Sequence, residues 1–165
     1  MPINHNPTSD MLPAPILPNA LCNCLALRQA ARRVTQHYDR ALAPSGLKTT
    51  QFSVLAMLRR YQPIGLGALA AHLVMDRATL GHNLRPLQKA GWVTLAAGMD
   101  RRRKMLALTE TGSFVLADAG PLWRQAQDWF EACFGPRAAS TLRADLAIIS
   151  QMKPGANIIS NSVPE

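Results

Sequence analysis

Residues 65–108 decide the fold of this chain, and they read GLGALAAHL (65–73), VMD (74–76), RATLGHNLRPLQKAG (77–91), WVTLA (92–96), AGMDRRR (97–103) and KMLAL (104–108). The first segment has apolar residues at helical spacing and ends in a short turn. Asp76 is a good N-cap for a second helix, which Gly91 ends. Two strand-like runs then flank a basic loop that contains the turn-permissive Gly98. This order predicts a winged helix-turn-helix, mainly α with a small β-hairpin wing.

The charge of the chain is concentrated in this segment. The chain has 165 residues, the length of one domain, and 48% of them are hydrophobic. Its formal net charge of +8 favours a polyanionic partner. From Asp76 to Lys104 there are seven Lys or Arg and two Asp, so 7 − 2 = 5 of the eight excess charges lie there. A solvated basic face without a partner is the alternative interpretation.

The three cysteines, Cys22, Cys24 and Cys133, favour free thiols. The chain has no secretory segment and no apolar run that is long enough to span a bilayer, so we expect a cytoplasmic protein without membrane contact. Cys22 and Cys24 form a C-x-C without a second pair, which argues against a structural zinc site. We therefore expect neither a metal nor a cofactor.

The regions on either side of the winged segment differ in composition. The sequence predicts a flexible Pro-rich arm over 1–18 and a loose tail over 154–165. Between them it predicts one domain, 19–153, which consists of a DNA-binding lobe at 49–109 and dimerisation helices at 19–48 and 110–153. These helices carry more apolar surface than the central unit covers. A second copy of the chain is the natural cover, which predicts a homodimer.

Local patterns predict several details of the helices. The first helix should run from about Asn19 to Leu42. The second should begin at Thr49 or Thr50, either of which can cap it, and end in a loop over 61–65. Its buried face should contain Phe52, Leu55, Ala56 and the stem of Arg59. Thr109 should cap a helix that begins at Glu110, and Pro86 and Pro121 each predict a local bend.

Polar side chains of the 77–91 helix are the candidates for contact with DNA bases, because an α-helix fits the major groove. Arg85 is suited to a bidentate contact with guanine, and contact with a phosphate is the alternative. Single base or phosphate contacts are expected from the neighbouring polar residues. The full set on this helix is Arg77, Thr79, His82, Arg85 and Lys89.

The loop of the hairpin is the second candidate DNA contact. It contains Asp100, Arg101, Arg102, Arg103 and Lys104. Arginine at a hairpin tip suits a narrow minor groove, where the potential is most negative. Asp100 is expected to accept hydrogen bonds that fix the turn.

The motifs G-W-V at Gly91–Val93, D-x-R at Asp100–Arg102 and L-T-E-T-G at Leu108–Gly112 resemble those of the MarR-type transcriptional regulators. The resemblance extends over Leu21–Met152. It implies a homodimeric regulator of double-stranded DNA, usually a repressor at a near-palindromic operator. It also implies that Arg102 is the wing-tip arginine and that a small-molecule pocket lies between the dimerisation helices and the DNA-binding lobe. A small aromatic or phenolic effector is the preferred ligand.

Residues 21–38 are similar to the first helix of the organic-peroxide-sensing OhrR branch, in which a reactive cysteine lies fourteen residues before a tyrosine. Cys24 and Tyr38 keep that spacing, with Cys22 close by. Thr49 stands where the branch has a second tyrosine, and Arg28 is the nearest cation that would favour a thiolate. Thiol-based peroxide sensing is therefore an alternative, beside a Cys24 that is simply a small buried apolar residue.

Two other classes of function have less support. The four histidines are scattered, and no Ser/His/Asp or paired-carboxylate arrangement is present, so we expect no enzyme. A winged-helix module that binds protein would need exposed apolar anchors where this chain has a basic stripe. Double-stranded RNA is disfavoured because its major groove is too narrow for the helix.

Overall fold

The computed structural model describes residues 22–97 and 104–152. The predicted arm, the predicted tail and most of the wing loop lie outside these residues. The elements are α1 (Asn23–Leu42), a 3-10 turn (Ala43–Ser45), α2 (Thr49–Tyr61), β1 (Ile64–Gly65), α3 (Leu66–His72), α4 (Arg77–Lys89), β2 (Val93–Ala97), β3 (Lys104–Leu108), α5 (Glu110–Phe134) and α6 (Pro136–Ser150). Contacts divide the chain into two units, and the boundary in the sequence falls between His37 and Tyr38 of α1. The predicted mainly helical fold with a small antiparallel wing is confirmed.

The sheet contains a strand that the sequence analysis missed. We expected a loop over 61–65, but Tyr61 ends α2 and Ile64–Gly65 forms β1. The sheet order is β1-β3-β2, and Ile64 pairs with Leu106. A two-residue strand has no periodicity of its own, because its hydrogen-bond partner lies about forty residues later in the chain. It ties the end of α2 to the wing.

The start of α2 also differs from the prediction. The N-cap position is occupied by Lys48, so neither threonine caps the helix with its own side chain. Asp39 supplies the acceptor instead: its Oδ1 accepts hydrogen bonds from the backbone N–H and the hydroxyl of Thr49, each at 2.7 Å. A carboxylate at this end of a helix is also favourable for the helix dipole. The cap therefore comes from α1, ten residues earlier in the chain.

Leucine side chains from α2, α3, α4 and α5 are prominent in the main core. In α2 the fully buried residues are Val54, Leu55 and Leu58; Phe52 and Ala56 are only partly buried, and Arg59 is exposed. The prediction for this face was thus wrong for Arg59 and incomplete for the others. The stripe predicted for α4 is confirmed, because Leu80, Leu84 and Leu87 are all buried in the same core.

A tight junction joins the end of α4 and β2 to the start of α5. The predicted cap is confirmed: Thr109 Oγ1 accepts a hydrogen bond from the Gly112 N–H at 2.9 Å. The same hydroxyl donates to the carbonyl of Gly91 at 2.7 Å, and the Thr109 N–H donates to the carbonyl of Trp92 at 3.0 Å. A β-carbon on Gly112 would overlap that Trp92 oxygen. Glycine is required here because two segments of backbone approach directly.

Both proline-containing helices continue through their prolines. α4 includes Pro86 and α5 includes Pro121 as single helical elements. As predicted, Gly91 follows the end of α4 with a positive φ of 74°, a conformation that glycine adopts at little cost. The first helix is described from Asn23, so the predicted start at Asn19 lies outside the described residues.

Candidate nucleic-acid interface

Helix α4 is fixed at its start by Asp76. Its Oδ1 accepts a hydrogen bond from the Thr79 N–H at 2.8 Å, and its Oδ2 accepts one from the Thr79 hydroxyl at 2.6 Å. The hydroxyl bond is the largest cause that lowers the pKa of Asp76 below its ordinary value, followed by the backbone bond. The cap is therefore present at neutral pH and is lost only as the pH falls through that lowered pKa. Thr79 serves first as a partner of this cap.

The exposed side of α4 is cationic. Because Leu80, Leu84 and Leu87 bind the helix to the core, His82, Arg85 and Lys89 lie on the exposed side. We call these three residues the α4 face. In the described part of the chain, the ion pairs are Lys48 with Asp39 and Arg143 with Glu131, and neither includes a residue of the α4 face. Its charge is thus available to an external anion.

Arg77 lies at the first position of α4, and its guanidinium packs beside the start of α3. A β-carbon on Gly67 would lie 3.0 Å from Arg77 Nη2, so the glycine leaves the space that this group occupies. All five residues predicted on this helix therefore lie on α4. Arg77 and Thr79 have contacts within the protein. The α4 face forms no ion pair with an acidic group of the described residues.

The turn between α3 and α4 holds a feature that the sequence analysis missed. Val74 has a φ of 52° and is 69% exposed. A β-branched residue is rare in this left-handed region, because its Cβ crowds the backbone. The hydrogen bonds of Val74 N–H to Ala71 O and Met75 N–H to Ala70 O hold the turn in place.

The wing is described only in part. Asp100, Arg101, Arg102 and Arg103 lie outside the described residues, so their predicted contacts stay predictions. Lys104 begins β3 and pairs with Ala97 of β2. At the other end of the same two strands, Val93 pairs with Leu108.

The residues predicted for a redox or effector site have separate surroundings. Cys22 and Cys24 are exposed at the start of α1, so the single chain does not itself bury Cys24. The Leu25 N–H donates to Cys22 Sγ at 3.4 Å, and Arg28 is exposed. Tyr38 is fourteen residues after Cys24 on the same helix, a rise of about 21 Å. The Tyr38 phenol and the Cys24 thiol of one chain therefore lie far apart along the axis of α1.

Tyr38 instead belongs to a polar chain with α5 and α6. Its hydroxyl donates to Gln127 Oε1 at 2.6 Å, and Gln127 Nε2 donates to Glu131 Oε1 at 2.9 Å. Arg143 Nη1 also donates to that oxygen at 2.9 Å. Burial raises the pKa of Tyr38, and the hydrogen bond from Gln127 is the largest cause that lowers the pKa of Glu131. The phenol is a neutral donor at physiological pH.

Two further findings bear on other classes of function. No helix within 22–97 and 104–152 is both long and apolar enough to cross a membrane. Over the same residues, no group of three or more His, Cys, Asp or Glu side chains is placed to hold a metal ion.

Comparison with known proteins identifies the family. The sequence pattern of the MarR family matches residues 47–103. The chain is similar to the Mycobacterium tuberculosis transcriptional regulator MosR, solved in complex with DNA: 42% identity, 79% of this chain and 94% of MosR covered, and a TM-score of 0.70. The chain belongs to the MarR family. MarR-family proteins are DNA-binding transcriptional regulators and not enzymes.

Two other relatives extend the comparison. The transcriptional repressor CouR bound to a 23-mer DNA duplex is 28% identical, with 79% of this chain and 93% of CouR covered and a TM-score of 0.73. CouR has also been solved with p-coumaroyl-CoA, at 26% identity and a TM-score of 0.72. The Bacillus subtilis regulator YwoH is 31% identical over 84 residues, which are 51% of this chain and 61% of YwoH. The chain thus spans less than two thirds of that curated relative.

Proposed function

We propose that this MarR-family protein is a homodimeric repressor that binds a near-palindromic site in double-stranded DNA and acts in the cytoplasm. The α4 face carries the proposal, since His82, Arg85 and Lys89 are exposed on a helix of the width that the major groove accepts. None of the three forms an ion pair within the described residues. CouR, which is named a transcriptional repressor, is bound to a duplex in its own structure.

Exposed apolar side chains support the homodimer. Several large ones lie in α1, in α5 and in or after α6, and their exposed fractions reach 67% at Ile148 and 63% at Met152. A monomer would leave these side chains in water, whereas an isologous contact would bury them on both copies. The residues are Leu25 and Leu27 in α1, Trp129 and Phe134 in α5, and Leu146, Ile148, Ile149 and Met152 in and after α6.

An aromatic effector is the preferred signal for release. Phe52 of α2 and Trp123 of α5 stack with their ring centroids 5.9 Å apart and their planes 10° apart, and both are partly buried. They join the DNA-binding lobe to the long helix, so a ring that is inserted beside them would change the position of one relative to the other. The p-coumaroyl-CoA complex of CouR supports a ligand with an aromatic acyl group.

Release from DNA tests this proposal. A labelled duplex from the promoter region of the protein's own gene should bind the wild type at moderate salt. Hydroxycinnamic acids and their CoA thioesters should release it, whereas aliphatic acids of equal charge should not, because they cannot stack on the Phe52–Trp123 pair. Absence of binding would overturn the DNA-binding proposal, and binding without release by any aromatic ligand would overturn the effector.

Thiol sensing is the second candidate, and the exposure of both Cys22 and Cys24 favours it. An organic hydroperoxide would oxidise the thiolate to a sulfenic acid and would itself be reduced to an alcohol.

Under this second candidate, cumene hydroperoxide should release the duplex from the wild type but not from Cys24→Ser. Cys133→Ser is the matched control, because it removes another exposed thiol and should behave as the wild type does. Equal release from the wild type and Cys24→Ser would end the redox proposal.

A further inference from the structure

We propose that a hollow between the start of α2 and the side of α4 holds one backbone phosphate of the bound duplex. The inference rests on the proposed DNA-binding function and adds a contact outside the recognition helix and the wing. The hollow has a volume of about 380 Å³ and is formed by two helices of the DNA-binding lobe. Its lining residues are Lys48, Thr50 and Gln51 at the start of α2 and His82, Asn83, Arg85 and Pro86 in α4. We call it the α2–α4 hollow.

The charge of the hollow fits an anion. Lys48 and Arg85 approach it from different helices, and no carboxylate is among its lining residues. The nearest acidic partner is Asp39, whose Oδ2 lies 3.8 Å from Lys48 Nζ. That pair is loose, and the Lys48 side chain is 72% exposed, so the ammonium can turn to a phosphate at little cost.

Backbone donors lie at the same place. Lysine at the N-cap offers no side-chain acceptor, and Asp39 occupies only the N–H of Thr49. The N–H of Thr50 has no acceptor among the described residues, and Gln51 Oε1 accepts a hydrogen bond from the Lys48 N–H at 2.8 Å. The Thr50 amide, the Thr50 hydroxyl and the Lys48 ammonium therefore belong to residues that line the hollow, a donor set that is typical of phosphate sites.

The position of the hollow selects a phosphate of DNA as the occupant. It shares His82 and Arg85 with the α4 face, so it opens directly beside the surface that would enter the major groove. A helix in that groove has a sugar-phosphate strand along each side, and contacts to these strands fix the register of the protein. The start of α2 would meet one strand while α4 meets the bases.

Thr50→Asp tests the inference without loss of the fold. An acidic residue in the first turn of a helix is favourable for the dipole, so the melting temperature should stay the same or rise. A carboxylate in the hollow should repel the phosphate and lower the affinity at least about tenfold. The loss should be equal for a duplex selected from a randomised pool and for a scrambled duplex. The plot of log K against log salt should become less steep by about 0.9 for the lost contact.

Arg60→Gln is the matched control. It changes the net charge by the same single unit on the same helix, but Arg60 lies at the other end of α2, over the Tyr61 ring. At ordinary salt, a charge at that distance is screened. The affinity of Arg60→Gln for the duplex should therefore stay within about twofold of the wild type. Lys48→Gln should lower the affinity for both duplexes, as Thr50→Asp does.

Three results would contradict the inference. Wild-type affinity and an unchanged salt slope in Thr50→Asp would overturn the phosphate contact and leave the proposed DNA-binding function intact. A loss confined to the selected duplex would assign the hollow to base recognition instead. Failure of the wild type to bind either duplex would overturn the proposed function, and the hollow with it.

Discussion

Replacement of Gly112 by alanine is expected to lower the free energy of unfolding by more than about 3 kcal/mol, the upper range for overpacked sites. A β-carbon there would overlap the Trp92 carbonyl oxygen and lie 2.8 Å from its carbonyl carbon. Backbone cannot move aside as a flexible side chain does. The Thr109 N–H hydrogen bond to that same oxygen would have to lengthen. The change therefore acts on the junction that joins β2 to α5.

Chemical denaturation monitored by circular dichroism measures this effect. Gly81→Ala is the control, because a β-carbon at Gly81 of α4 meets nothing within 4 Å. In a helix interior that substitution should raise stability by about 0.5 to 1 kcal/mol. If Gly112→Ala were as stable as the wild type, the close approach of these two segments would be wrong.

Arg85→Ala is expected to remove most of the base preference at one position of each half-site. A good bidentate contact with guanine contributes about 1 to 3 kcal/mol of discrimination. Arg85 is suited to that contact because it is exposed in the middle of α4 and has no acidic partner among the described residues. The affinity for the preferred duplex should fall by roughly five- to 150-fold, and the affinity for a duplex with that guanine replaced should change little.

Competition titrations with the two duplexes measure the discrimination, and Arg85→Lys is the decisive control. Lysine keeps the charge but lacks the planar fork that matches two acceptors of guanine. If Arg85→Lys keeps the base preference of the wild type, Arg85 contacts phosphate and the assignment to guanine is wrong.

Local patterns predicted the parts of the fold that are stabilised locally. The apolar stripe of Leu80, Leu84 and Leu87 and the caps at Asp76 and Thr109 each depend on residues within one or two helical turns. Such contacts follow directly from helical periodicity and capping preferences. For this reason the starts of α4 and α5 agree with the prediction to the residue.

Contacts between distant segments were not predictable in the same way. The cap of α2 comes from Asp39, and β1 exists only because Ile64 meets Leu106. No local sequence pattern identifies Asp39 as a cap or Leu106 as the partner of Ile64. The predicted helix start at Thr49 was correct for a reason that the sequence did not reveal.

In the candidate site, too, local patterns were predictable and contacts between distant segments were not. The α4 face was predictable, since its residues alternate with the buried leucines. The spacing of Cys24 and Tyr38 was less informative, because fourteen residues on a helix are about four turns and separate two side chains. The contact of Tyr38 with Gln127 joins residues 89 positions apart, and no sequence motif announces it. The α2–α4 hollow likewise requires two helices to meet.

Nuclease footprinting on the promoter region of the protein's own gene tests the central claim most directly. The account predicts that the wild type protects a near-palindromic site at moderate salt. Two winged units of a dimer should protect two half-sites whose centres lie about one helical turn apart, or a multiple of it. No protection at moderate salt, or protection of a single half-site without a repeat, would contradict it.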